Sequence, residues 1–414
     1  MTEPIVPIGP IAPITPVAII AHSLVSAAGD TRAAFAAAVR GNVSALRRND
    51  FEAAPLDTCI GAVAGLDEAA LPPALQHWDC RATRLAWRGL CADGVIDAVR
   101  AAVARHGAAR VGLVLGTSAS TIAVSEAAYR APAADGGFPA AVRSARLNTP
   151  HALAMFCAEA TGIEGPAVTV STACSSSAKA FAQAARWLRL SLVDAVLVGG
   201  VDALCSSVLY GFHALGLVSP ETCRPFDATR RGISVGEAAG FALLERSEGR
   251  EASRDAVQLL GYGEANDAHH MSAPHPQGLG AEAALDAALA RAGVHAAQID
   301  FASLHGTATP QNDAVEAALV ARRYGPQVHA CGGKGAIGHT MGAAGIAAAA
   351  LAWLALEDGA CGGTPGLLAA DPALGDGFAL RLKALPASRT VRVAASHAFG
   401  FGGNNVVLIF GRGR

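Results

Sequence analysis

Short apolar runs, each ending in a turn of small residues and followed by helical spacing, recur along this chain. That alternation leaves few folds open. Val17–Ile20 begins the series. Arg110–Leu115 ends in Gly116-Thr117-Ser118, Ala167–Val170 runs into Ser171-Thr172-Ala173-Cys174, and Asp194–Val198 closes on Gly199-Gly200. Helical spacing over 85–106 and 174–190 lies between them. The rhythm returns with a helix over 281–292, a strand Phe301–Leu304 reaching His305 and a helix over 313–324. A strand Val328–Cys331 just before Lys334, a helix over 341–356 and β-rich segments 391–396 and 405–410 complete it. Strand alternating with helix predicts a mostly parallel sheet. The two halves share an order of elements but no residue-level repeat, and a division is expected near residue 260.

With 414 residues, 52% of them apolar and only 5% aromatic, the chain has material for a large core of closely packed helices and sheets. A net charge of −2 gives no reason to expect nucleic-acid binding. The nine cysteines are odd in number and scattered, without a C-x-x-C pair. A disulfide framework or structural zinc site is therefore not expected, and a reducing, cytoplasmic setting fits better. The histidines, the adjacent His269-His270 included, lack ligand spacing. Proline every third residue from Pro4 to Pro16 matches polyproline II, so residues 1–16 read as an extended arm, loose rather than packed through Ile5, Ile8, Ile11 and Ile14. No cationic region precedes an apolar run there, so no secretory signal is expected. The Ala-rich 342–356 is too short and weakly apolar for a membrane span.

Cys174 stands out among the cysteines. It sits between an apolar run and a stretch with helical spacing at Ala178, Phe181, Ala185 and Leu188. At the positive end of a helix a thiol is expected to have a depressed pKa and to act as a nucleophile. The other cysteines read as small buried hydrophobes. His305 lies in Leu-His-Gly-Thr-Ala-Thr-Pro (304–310), Lys334 and His339 in a Gly-rich stretch (332–345), and His397-Ala-Phe-Gly-Phe-Gly-Gly-Asn-Asn (397–405) forms a backbone-rich turn. Any one of these has an ordinary structural reading: a hydrogen-bonded histidine, a solvated lysine, a glycine turn. Lys334 is not a P-loop lysine, since no Ser or Thr follows it, and 400–403 lacks the dinucleotide-binding spacing. Taken together, Cys174, His305 and Lys334 each follow the carboxyl end of a predicted strand, where open α/β sheets place ligands.

These segments, with Arg224-Pro-Phe-Asp227 followed by Arg230 and Gly232, resemble the β-ketoacyl-acyl carrier protein synthases from about residue 17 to 411. The resemblance implies a thiolase fold, five-layered α-β-α-β-α with two similar halves (17–260 and 261–414 after the arm) and a dimer formed through a strand of the first half. It implies a decarboxylative condensation that lengthens an acyl chain on Cys174 by two carbons, with the enolate steadied by His305 and His339. The oxyanion would be held by the amides of Cys174 and Phe399, the latter also the gate. Lys334 and Glu316 would form an ion pair behind the site, and Thr307 and Thr309 would hold the phosphopantetheine arm. Ala119 and Phe401 would border the acyl pocket, and Arg81, Arg84 and Arg88, on one helical face, would dock an acidic acyl carrier protein. No metal or bound cofactor is implied; phosphopantetheine arrives on its carrier. Two later histidines favour an elongating enzyme, since thiolases carry a second cysteine in 395–405 and initiating synthases pair His with Asn. A homodimer is expected, with the active half of a heterodimer with a chain-length factor as the alternative. A cysteine thioester hydrolase would leave His339 and Lys334 unexplained. Ala238, Ala308, Asn404 and the segment 116–121 depart from the common family pattern, and the last suggests an altered acyl pocket, as for a polyene.

Overall fold

The computed structural model describes residues 11–51, 56–139, 142, 146–246, 256–359, 362–386 and 389–412. Among them, ten strands join in one hydrogen-bonded sheet. In chain order the strands are β1 (Val17–Ser26), a separate short pair β2 (Arg47–Arg48) and β3 (Cys59–Ile60), then β4 (Val111–Gly116), β5 (Ala167–Val170), β6 (Ala195–Asp202) and β7 (Ala238–Arg246). The second half supplies β8 (Val257–Asn266), β9 (Phe301–Leu304), β10 (His329–Gly332), β11 (Val393–Gly400) and β12 (Asn404–Arg412). The spatial order is β10-β9-β11-β12-β8-β1-β7-β6-β4-β5.

Cut between β8 and β1, that order is one five-strand pattern written twice. In each half the second strand pairs parallel with the third and fourth, and the fifth runs antiparallel between the fourth and first. The halves join at the short pairing Val17↔Leu259 and Ala18↔Gln258. The division expected near residue 260 falls inside β8, because the second copy of the pattern begins at Val257.

Alternation along the strands explains the layers. Val111, Leu113 and Leu115 of β4 and Ala239, Phe241 and Leu243 of β7 face helices Arg81–Cys91, Val95–His106 and Ala152–Thr161. The opposite residues, Val114, Ala242 and Leu244, face inward. Val407 and Ile409 of β12 likewise cover Leu279–Ala292 and Pro310–Arg323, while Val406, Leu408 and Phe410 face inward. Between the two half-sheets lie two helices, Ser176–Arg189 and Ala344–Asp358. Phe181 of the first meets Trp353 of the second at 5.9 Å, and both meet Phe410, at 5.9 and 5.6 Å. Both faces of each half-sheet are thus buried, which is why its strands read as continuous apolar runs.

The structure departs from expectation at four places. The sheet is not mostly parallel: five of its nine described strand pairings are antiparallel, because the last strand of each half returns between the fourth and the first and the halves themselves meet antiparallel. The helix expected over 85–106 is two, broken where Asp93 (φ 52°) and Gly94 (φ 78°) turn left-handed. Gly199 and Gly200 lie within β6 rather than closing it: a Cβ on Gly200 would stand 2.6 Å from the Ser177 Cβ. The arm read as loose lies partly outside the described residues, but Ile14 is held; its N–H donates to the Arg291 carbonyl (2.8 Å) and its side chain packs on the core. Among the described residues one helical stretch, Met341–Asp358, is long and apolar enough to cross a membrane, and it is buried between the half-sheets.

The two central helices approach through small residues. A Cβ on Gly345 would stand 2.4 Å from the Ala178 backbone N. Gly345→Val is expected to destabilise the chain by about 1–3 kcal/mol, as overpacking does, read as a lower urea midpoint with an unchanged m-value.

Candidate active site

The turn that carries Cys174 is braced by hydrogen bonds of its own. β5 ends at Val170 and the helix starts at Ser176. Between them Ala173 takes a left-handed φ of 52°, a conformation that costs about 1–2 kcal/mol for a residue with a Cβ. Hydroxyls hold it: Ser176 Oγ accepts from the Thr172 N–H (2.9 Å) and donates to the Ala173 carbonyl (2.6 Å), and Ser175 Oγ donates to the Thr172 carbonyl (2.8 Å). Gly400 rests on this turn, with no room for a side chain; a Cβ there would lie 3.0 Å from Ser175 Oγ and from the Thr172 carbonyl oxygen. The next residue, Phe401, directs its N–H at the Cys174 sulfur, as does the amide of Cys174 itself.

His305 follows β9, and Lys334 comes just after β10. Lys334, buried, donates to the His305 carbonyl and lies 3.3 Å from His305 Nδ1. An ammonium has only donors, so Nδ1 accepts and the proton sits on Nε2. His339 is fixed in the same sense. Its Nδ1 accepts from the Met341 N–H at 3.2 Å, leaving Nε2–H free to donate. The two rings are 5.6 Å apart and nearly perpendicular, at 89°. Burial, then the charge of Lys334, holds both imidazoles well below their ordinary range, so both are neutral at neutral pH.

Cys174, His305 and His339 line one cavity of about 430 Å³, together with Thr307, Thr309, Phe212, Phe399 and Phe401. Thr307 and Thr309 share a 2.8 Å hydroxyl contact. Asp313 shapes their loop by accepting from the N–H groups of Thr307 (3.0 Å) and Ala308 (3.2 Å), and Ala308 sits at a left-handed φ of 63°. Phe212, which the sequence reading did not assign to the site, stacks against Phe401 (5.6 Å) and His339 (6.3 Å).

Five expectations are corrected. Burial, the largest influence, pushes the Cys174 thiol up to about 11, although Lys334 and the two amides pull it down; the helix start does not outweigh desolvation. The second amide at the sulfur belongs to Phe401, not Phe399, whose ring instead lies beside His305 (5.9 Å). Glu316 is not paired directly with Lys334. It accepts from the N–H groups of His305 and Gly306, both at 2.7 Å, and from His397 at 2.9 Å. Ala119 does not line this cavity, and its N–H donates to Asp202 (2.9 Å). Finally, Arg81, Arg84 and Arg88 are engaged within the chain. Arg81 grips buried Glu237 at 2.6 and 3.0 Å, Arg84 grips Asp79 with two 2.6 Å bonds, and Arg88 donates to the Ala64 and Gly65 carbonyls, each at 2.6 Å. Helical spacing put these arginines on one face but did not show what that face meets.

Two family models match the chain: Beta-ketoacyl synthase, N-terminal domain, over residues 15–249, and Beta-ketoacyl synthase, C-terminal domain, over 257–367. Nodulation protein E of Rhizobium meliloti (strain 1021) is 34% identical over 73% of this chain and 76% of its own. 3-oxoacyl-[acyl-carrier-protein] synthase 2 of the same strain is 37% identical over 60% of this chain and 62% of its own. A ketosynthase solved in complex with its chain length factor, from Xenorhabdus doucetiae, is 33% identical with a TM-score of 0.82, covering 96% of this chain and 98% of that one.

Two outcomes follow from the geometry. Arg81→Ala is expected to lower stability by about 3–5 kcal/mol in denaturant titration, because it strands Glu237 as a buried charge. Iodoacetamide alkylation of Cys174, followed against pH, is expected to rise with a midpoint above the free-thiol value of about 8.5, since the thiolate forms only at higher pH.

Proposed function

This chain belongs to the β-ketoacyl synthase family, condensing acyltransferases of thiolase fold, and we propose that it is an elongating synthase acting on carrier-bound chains. The observation that carries the reading is the opening of one sulfur and two neutral imidazoles, each with an Nε2–H to donate, into the same cavity. A single imidazole would suffice for a thioester hydrolase; a second donor suits an enolate.

In this reading Cys174 Sγ attacks the acyl thioester of a phosphopantetheine arm lying along Thr307 and Thr309. The oxyanion is held by the amides of Cys174 and Phe401. The carrier leaves as a free thiol, taking up the proton that the cysteine lost. A malonyl thioester then binds with its carbonyl between His305 and His339. Loss of carbon dioxide moves the carboxylate's electron pair into an enolate, and both Nε2–H groups donate to its oxygen. The enolate carbon attacks the acyl-cysteine, the C–S bond breaks, and protonation restores the thiol. The product is a β-ketoacyl thioester two carbons longer.

The acidic carrier is the partner, as the name of the 37% identical relative suggests. A second reading has the chain as the active half of a heterodimer, supported by the neighbour solved with its chain length factor. The first reading pairs the chain with a second copy of itself as a homodimer. Free cysteines among the described residues, Cys174 included, suit a cytoplasmic setting.

Incubation with acyl and malonyl carriers is expected to give a mass two carbons above the primer, and Cys174→Ala to abolish it; free fatty acid as the sole product would instead mark a hydrolase. His305→Ala or His339→Ala in a Cys174→Gln background is expected to cut malonyl decarboxylation about 100- to 1000-fold. In that same background the rate should hold down through pH 6.5, because imidazole protonation, which removes the catalytic neutral form, lies well below that pH. Size-exclusion of the chain expressed alone, against its co-expression with a related synthase, separates homodimer from heterodimer.

A further inference from the structure

Behind His305 runs a chain of buried groups that the reaction does not touch. Glu316, wholly buried on the helix Pro310–Arg323, accepts from the N–H of His305 and of Gly306. Its Oε1 lies 2.9 Å from Nδ1 of His397, which is also wholly buried. The far nitrogen of that ring, Nε2, is 2.7 Å from the hydroxyl of buried Tyr324. We propose that His397 is a positioning residue for the condensation: it anchors the Glu316 carboxylate, and that carboxylate anchors the turn from which His305 reaches the substrate. The inference rests on the role given to His305 above.

The direction of each bond can be assigned. Burial and the nearby Glu316 hold the Tyr324 phenol well above its ordinary range, so the hydroxyl keeps its proton, and in this proposal it donates to His397 Nε2. His397 Nδ1 then carries the ring proton and donates to Glu316. In this proposal the ring proton of His397 thus sits on Nδ1, the tautomer opposite to that of His305 and His339. Its proton completes the carboxylate's set: Oε1 takes His397 and the His305 amide, Oε2 the Gly306 amide. Lys334 holds the carbonyl of the same His305. The backbone of His305 is therefore gripped at its N–H by Glu316 and at its C=O by Lys334. A third contact runs through Phe399, whose ring lies 5.1 Å from His397 and 5.9 Å from His305. Without the Nδ1 donor, Glu316 has a buried lone pair unmet and moves to satisfy it, carrying the turn with it. A displacement of about 1 Å at a reacting group costs about 100-fold in rate.

The test uses full-length Cys174→Gln protein and its malonyl decarboxylation, with thermal unfolding followed in parallel. His397→Leu is expected to lower kcat about 10- to 100-fold while the KM for the malonyl carrier stays within about twofold. His397→Asn, which restores a donor to Glu316, is expected to recover kcat to within about fivefold of the parent, with Tyr324→Phe between the two. Where His397→Leu does not fold, the Asn and Phe variants carry the comparison. A folded Leu variant with the parent's kcat, an Asn variant no better than Leu at equal stability, or a KM that rises as much as kcat falls would each overturn the proposal. Histidine ¹⁵N NMR supplies an arm independent of activity: His397 must be the Nδ1–H tautomer, and an Nε2–H or doubly protonated ring overturns it. A parent protein that fails to decarboxylate would sink the synthase reading itself, and the tautomer assignment would still be decided by NMR.

Discussion

One buried ammonium organises the chemistry of this protein. Taking the Lys334 charge out of water costs several kcal/mol unless acceptors meet it. The His305 carbonyl and Nδ1 do so, and the Glu316 carboxylate partly offsets the desolvation that lowers the lysine. Meeting that one demand has three results. It sets the tautomer of His305, it adds to the burial that keeps both imidazoles neutral, and it draws the Cys174 thiol below where burial alone would put it. The His305 proton is placed by a charge on another element, and the His339 proton by the local N–H of Met341.

The fold makes this concentration unavoidable. A strand pattern used twice sends the carboxyl ends of β5 and of β9 and β10 toward one seam, so the first half brings the sulfur and the second the imidazoles and the ammonium. Close approach at the seam needs small residues. A Cβ on Gly116 would stand 2.3 Å from the Ser177 N, and one on Gly345 2.4 Å from the Ala178 N. The loops that end there pay in backbone strain: Ala173, Phe226, Ala308 and Met341 all hold left-handed φ values between 52° and 65°. Such residues cluster at sites whose surroundings over-determine them.

Most of the strands and the two central helices were legible because burial on both faces leaves continuous apolar runs. β7 and β8 were not. β7 opens on the small residues Ala238, Ala239 and Gly240, and β8 is interrupted by Gly261 and Gly263, where the helix Leu279–Ala292 lies so close that a Cβ on Gly263 would stand 1.8 Å from the Ala284 carbonyl oxygen. Packing, not propensity, makes β8 a strand. Within the site, Cys174, His305 and Lys334 were legible because each carries its chemistry in its own side chain and stands beside a strand end, and His339 because it lies in the same Gly-rich stretch as Lys334. What escaped depends on direction. Which of Phe399 and Phe401 points its amide at the sulfur is fixed by the left-handed Gly402 and by Gly400 seated on the cysteine turn, and neither leaves a periodic signal. The arginines of 81–88 misled for a related reason. Spacing locates a face, whereas the carboxylates and carbonyls that meet it come from residues up to 156 positions away.

In the reaction proposed, a thiol held protonated by its surroundings and a pair of neutral imidazoles amount to one design. The cavity never has to hold two unlike charge changes at once. Acyl transfer exchanges one thiol for another, so the negative charge formed on the way is brief and lies at the amides of Cys174 and Phe401. Decarboxylation then admits a single anion, the malonyl carboxylate, and relocates its charge onto an oxygen between two N–H donors. An imidazolium at either position would bind that carboxylate in the ground state and oppose its loss, since electrostatic stabilisation helps only where it grows toward the transition state. Burial, which raises the thiol, therefore also keeps the imidazoles uncharged, and the same desolvation serves both half-reactions.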